Sequence, residues 1–204
     1  MEMTDTNSGS DTKYFPLRPG DVAPDFSLEY VLDGEISWMT LSSYSKDKFC
    51  LIIFYPVDFG YVTPTEFYQL EPLLPELEKL NCAVIAISTD HIVNHVAWQT
   101  RPMKEGGLNN MKIPLCSDTD GVVSRQYGVY KEKEHIAFHG TFLLSPDRKI
   151  LSVEKCDLPV GCCMDEQLRQ VQSAVAVANA PSKGYYTPAD WQQGDKVEVV
   201  KFSV

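Results

Sequence analysis

The sequence predicts an α/β domain built on a central sheet covered on both faces, and three observations carry that expectation. Residues 49–55 (FCLIIFY) are apolar at every position, the pattern of a strand buried on both sides rather than one facing water. Short β-branched or aromatic runs alternate with longer segments of helical period, and strand, helix, strand, helix in succession implies a parallel βαβ unit. At 204 residues and 44% hydrophobic content, the chain is the size of one ordinary domain with a full core.

Along the chain, residues 1–14 form a polar tail of Thr, Ser, Asp, Asn and Gly, too poor in apolar side chains to offset the entropy of ordering them. The domain is expected over 15–180. Its first clear strand is 49–55. A helix begins near Pro64, is interrupted at Pro72 and Pro75, and resumes through 77–80, because proline removes an amide donor and clashes with the preceding turn. A second strand at 82–88 and a helix over about 90–99 complete the βαβ pattern. After a loop at Glu105-Gly106-Gly107 come a short extended piece at 113–115 and a small helix near 122–127. Strands at about 137–144 and 149–153 read as a hairpin, joined by Ser145-Pro146-Asp147-Arg148, whose Pro and Asp favour a turn. The last helix, about 165–178, offers Leu168, Val171, Val175 and Val177 as an apolar stripe. Residues 181–204 form an arm whose aromatics, Tyr185, Tyr186, Trp191 and Phe202, need a surface to bury on, for which a second subunit is the expected candidate.

Charge excludes some partners. Eighteen Lys and Arg against 28 Asp and Glu leave a net charge of −10, which repels phosphate backbones and anionic lipid, so neither nucleic acid nor a membrane is expected as partner. No apolar run approaches the ~18 residues of a membrane span. The start, Met1-Glu2-Met3-Thr4-Asp5, has neither the basic nor the apolar part of a secretory signal, and a cytoplasmic location is expected. The six cysteines, 50, 82, 116, 156, 162 and 163, show no C-x-x-C spacing and read as free thiols. His91 and His95 stand at i, i+4, a spacing that can hold zinc, but neither the H-E-x-x-H glutamate nor a third ligand accompanies them. They read as helix-face histidines, and no cofactor and no metal is expected.

The chemistry-bearing stretch is 56–66, PVDFGYVTPTE, where a central strand ends and a helix begins, the usual place for chemistry in α/β folds. Read as structure alone, Thr63 is an N-cap, Pro64 the first helical residue and Glu66 the third, a capping box whose loss costs about 0.5 to 2 kcal/mol. Here the sequence resembles the typical two-cysteine peroxiredoxins on their thioredoxin-like fold. The match runs in order through Pro24-Asp25-Phe26, Phe54-Tyr55-Pro56-Val57-Asp58-Phe59, Leu80-Asn81-Cys82, Ala97-Trp98, 104–108 (KEGGL), Tyr127-Gly128-Val129, 157–161 (DLPVG), Asp165-Glu166 and Trp191.

The resemblance implies a peroxide-attacking thiolate in a P-x-x-x-T/S-x-x-C pattern, activated by helix N-terminal amides and an arginine. This chain reads Pro56-x-x-x-Gly60-x-x-Thr63, with His139 where the arginine is expected and Thr187 where the second, resolving cysteine falls. An aliphatic hydroxyl neither ionises near neutrality nor passes through a sulfenic acid, so the family cycle loses its first step. A neutral imidazole also lacks the guanidinium fork that grips both peroxide oxygens. A pseudoenzyme is therefore expected: a homodimer or higher ring, alone or mixed with active peroxiredoxins, acting as a scaffold, partner or chaperone-like protein. Glu105-Gly106-Gly107-Leu108 resembles the loop tied to overoxidation sensitivity, but its Tyr-Phe companion is missing, with only Lys201-Phe202 near the end. The alternative is a redox protein using Cys156, Cys162 or Cys163, the latter two placed to feel the last helix's N-terminal dipole. A further alternative pairs the Thr63 hydroxyl with the His139 imidazole as nucleophile and base, for which the sequence identifies no orienting carboxylate.

Overall fold

The computed structural model describes residues 16–182 and 184–199, so the N-terminal tail and Phe202 lie outside the described residues. A seven-stranded mixed sheet runs in the order β2-β1-β5-β4-β3-β8-β9, with β1 Ser27–Leu32, β2 Glu35–Thr40, β3 Phe49–Phe54, β4 Cys82–Ser88, β5 Leu115–Ser117, β8 His139–Leu144 and β9 Ile150–Cys156. Strands β3, β4 and β5 are parallel neighbours; the other pairings in the sheet are antiparallel. Two short ribbons lie apart from it, β6 Tyr130–Lys131 with β7 Ile136–Ala137, and β10 Tyr185–Tyr186 with β11 Glu198–Val199.

The apolar β3 is central and wholly buried, as its composition requires. Its side chains alternate between two cores. Leu51 and Ile53 join Phe67, Leu70, Trp98 and Val171 on one face; Cys50, Ile52 and Phe54 join Tyr127, Phe142 and Leu144 on the other. The first face is covered by α2 Thr63–Leu70, α3 Leu74–Lys79, α4 Ile92–Thr100 and α6 Met164–Ala178, which include Phe67, Leu70, Leu77, Trp98 and Val171 of that core; the second takes Leu41 from α1 Leu41–Tyr44 and Val123 from α5 Val122–Gln126. The α-helix is interrupted near Pro72, as the sequence predicts: α2 ends at Leu70, a 3₁₀ turn Glu71–Leu73 carries Pro72, and α3 starts at Leu74. Among the described residues no helix is long and apolar enough to cross a membrane.

Several expectations shift. The extended piece is 115–117 rather than 113–115, and the predicted strand 137–144 splits, with Ala137 in a short ribbon and β8 starting at His139. Val177 is 38% exposed, so the α6 stripe ends at the half-buried Val175. The β1–β2 hairpin is an element beyond those the sequence predicts. Trp191 is only 3% exposed and its carbonyl accepts from the Arg169 guanidinium on α6 at 3.3 Å, so this aromatic is buried within its own chain and needs no second subunit. Tyr186 remains 50% exposed.

Candidate functional site

The segment 55–63 leaves the C-terminal end of β3 and turns into α2 at the edge of the core. Pro56 and Asp58 are buried, Gly60 is half-buried, and the intervening Phe59 takes a left-handed φ of 56°, an uncommon backbone state for a bulky residue. Gly60 lies close to the helix mouth: a Cβ built there would meet Val57 Cγ2 at 3.3 Å and Thr63 Oγ1 at 3.8 Å. A β-carbon here thus needs only a small shift of Val57.

Thr63 is 2% exposed, but it does not cap the helix. The N-cap is Val62, in helical φ/ψ and with no side-chain cap bond, and Thr63 is already the first helical residue. The capping box predicted from Thr63 and Glu66 does not form, because the Glu66 carboxylate is engaged elsewhere. Its Oε1 accepts the backbone amide of Cys162 at 2.6 Å, and its Oε2 lies 2.9 Å from His139 Nδ1. The approach of residues 157–163 to α2 depends on Gly161, where a Cβ would stand 3.1 Å from Val62 and 3.4 Å from Glu66. His139, 1% exposed, also points Nε2 at the Leu158 carbonyl, 3.2 Å away. That carbonyl can only accept, so Nε2 carries its proton and a single further proton lies between Nδ1 and the carboxylate. Glu66 is thus the orienting carboxylate that the sequence did not identify. No hydrogen bond joins Thr63 to His139 among the described residues; the imidazole is turned to Glu66 instead.

Thr187 on the arm sits against α6, its hydroxyl 2.5 Å from that of Ser173. Cys50, Cys82 and Cys116 are buried as expected, and burial raises all three thiols, Cys82 to about 12. Cys156, half-buried, and Cys162, 4% exposed, approach with sulfurs 3.7 Å apart. The helix-dipole expectation fails at Cys162: burial, then Glu154 and Glu66, push its thiol well above the ordinary range. Cys156 is also raised, mainly by burial. Cys163 is the N-cap of α6 and exposed. Iodoacetamide at about pH 8 is therefore expected to label Cys163 in the folded protein and to leave Cys162 unlabelled until denaturant is added, read by peptide mass spectrometry; equal labelling of both would contradict the burial.

The histidine pair separates. His91 is the exposed N-cap of α4, its Nδ1 accepting from the Val93 amide at 3.3 Å. His95 is no surface histidine: it is fully buried, with Nδ1 2.7 Å from Asp58 Oδ2 and Nε2 3.2 Å from the Cys116 carbonyl. Asp58 also accepts from the Tyr55 hydroxyl at 2.9 Å, and its amide donates to Asp90 at 2.8 Å, which pins the loop before Gly60 to α4 and β4. Burial pushes the Asp58 carboxyl up, and the hydrogen bond and charge of His95 pull it partly back. The sequence placed Asp58 in a motif without revealing this partner 37 residues away.

Comparison with known proteins agrees with this architecture. Residues 19–153 match the AhpC/TSA family. The chain is 42% identical over 175 residues to Peroxiredoxin prdx-2 of Caenorhabditis elegans, spanning 86% of this chain and 85% of that one. It is 41% identical over 175 residues to Peroxiredoxin-2 of Bos taurus, with 86% of each covered. The structure superposes on reduced Plasmodium vivax 2-Cys peroxiredoxin with a TM-score of 0.83 at 27% identity, covering 89% of this chain and 93% of that one. The chain belongs to the AhpC/TSA family, with the thioredoxin-like fold of the peroxiredoxins.

Proposed function

We propose that this chain is a peroxiredoxin-family scaffold without thiol peroxidase chemistry, acting in the cytosol through assembly rather than turnover. The observation that carries this reading is the buried hydroxyl of Thr63 at the first turn of α2, where the resemblance places the attacking sulfur. Its surroundings support the same reading. His139 is committed to Glu66 and the Leu158 carbonyl, so the position where the resemblance expects the arginine offers no guanidinium fork. Thr187, at the position of the resolving cysteine, is bonded to Ser173. What such a chain retains is a surface for a homodimer or ring, mixed assembly with active relatives, or holding unfolded clients.

Thioredoxin-coupled peroxide turnover tests this directly. The protein as written is expected to consume hydroperoxide no faster than buffer, whereas Thr63→Cys/His139→Arg regains measurable turnover, and adding Gly60→Thr raises it further because Val57 can yield the few tenths of an ångström that the new Cβ needs. Catalytic turnover by the unaltered protein would sink the reading. Co-purification of an active relative would favour mixed assembly, suppression of client aggregation would favour the chaperone-like role, and a monomer on a sizing column would weaken both.

A further inference from the structure

Glu154, Cys156 and Cys162 bring one carboxylate oxygen and two sulfurs to within 4.8 Å of one another. Glu154 and Cys156 alternate by two along β9 and so share a face of the sheet edge, while Cys162 closes on them from the turn before α6. We propose that these three side chains form a thiolate-rich site for a zinc-like divalent cation, with a water completing a tetrahedral shell.

The spacing suits such an ion. Two thiolates each ~2.3 Å from a tetrahedral zinc lie about 3.8 Å apart, and the Cys156 and Cys162 sulfurs are 3.7 Å apart. A carboxylate oxygen and a sulfur on the same ion are about 3.5 Å apart; Glu154 Oε1 lies 3.8 Å from Cys156 Sγ. The second oxygen of Glu154 is held by Gln167 Nε2 at 2.5 Å, an outer hydrogen bond of the kind that orients a ligating carboxylate.

Gln167 supplies an independent sign. Its side chain is buried, 1% exposed, and its Oε1 has no hydrogen-bond partner. Such a buried acceptor carries a desolvation cost, and a water on the metal would give it a donor. The neighbouring carboxylates Glu66 and Glu166 are already paired with His139 and Arg169, so the cation's charge would be met by the three ligands themselves. Two thiolates select zinc-like ions over calcium or magnesium. Binding would exchange two S–H protons for one divalent ion, both protons leaving to solvent.

The test is cobalt(II) titration of the reduced full chain. One equivalent is expected to bind with thiolate-to-cobalt charge-transfer absorption and tetrahedral d–d bands, bleached by one equivalent of zinc. Cys156→Ser and Cys162→Ser should each weaken binding by more than about 100-fold, and Gln167→Leu by ~10–100-fold, the usual cost of losing a ligand's outer hydrogen bond. Cys163→Ser should bind as the parent does. Circular dichroism confirms folding; if Cys162→Ser fails to fold, Cys156→Ser and Gln167→Leu decide. Absence of charge-transfer absorption in the reduced protein overturns the proposal, as does full intensity in both Cys156→Ser and Gln167→Leu. Isolation of a Cys156–Cys162 disulfide, with no cobalt bound after its reduction, would also overturn it and identify a redox pair instead.

Discussion

Glu66→Ala is expected to cost about 3 to 5 kcal/mol of folding stability, measured as a shift in the denaturant midpoint at unchanged slope. The carboxylate is 4% exposed and satisfies two groups that have no route to water, the His139 imidazole and the Cys162 amide. Alanine strands both and opens a cavity between α2 and the loop at 157–163. Glu66→Gln should cost no more than about 1 kcal/mol. Its Oε1 still accepts the Cys162 amide, and its Nε2 can donate to a His139 Nδ1 that keeps its proton on Nε2 for the Leu158 carbonyl. The glutamine also removes one of the two carboxylates that, after burial, hold the Cys162 thiol up, so that thiol shifts toward its ordinary value. If glutamine proves as damaging as alanine, the hydrogen-bond account of Glu66 is wrong and its negative charge is what matters.

The role of Glu66 also marks where sequence reasoning stops. The β3 strand was legible because every position is apolar, and that signal survives any tertiary context. Strand β4 and helices α5 and α6 were legible for related reasons of period and punctuation. The β1–β2 hairpin carries a local signal of its own: Asp33-Gly34 takes φ of 55° and 80° between Leu32 and Glu35, the two-residue turn that Asp-Gly favours. The site is different in kind. Thr63-Pro64-Thr65-Glu66 satisfies the local capping pattern, yet a buried imidazole 73 residues away and a backbone amide 96 residues away compete for the same carboxylate and win. Nothing within the window of a local motif reports those partners. Glu154, Cys156 and Cys162 are likewise joined only by the register of β9 and the turn before α6.

The second buried carboxylate–imidazole pair is expected to be as costly to break. His95→Ala should lose about 3 to 5 kcal/mol, because Asp58 is left with the Tyr55 hydroxyl as its remaining side-chain donor and no compensating charge in a site where both members of the pair are essentially inaccessible. Asp58→Ala should lose a similar amount, stranding His95 Nδ1 and the Tyr55 hydroxyl, while the backbone amide at 58 keeps its bond to Asp90. Since each substitution removes the same interaction, the double variant should cost clearly less than the sum of the two. Additivity within about 0.5 kcal/mol would argue that the pair is not coupled. The pH dependence gives an independent reading. Asp58 already has a carboxyl raised above the unfolded value near 3.8, chiefly by burial, with His95 pulling it back. Removing His95 raises it further. A carboxyl raised in the folded state keeps its proton there while the unfolded chain releases it, so stability falls as pH climbs from the unfolded value through the folded one. The deficit of His95→Ala relative to the parent should therefore be smaller at about pH 5 than at about pH 8, and a deficit that grows on acidification would mean that Asp58 is not the group left exposed to the loss.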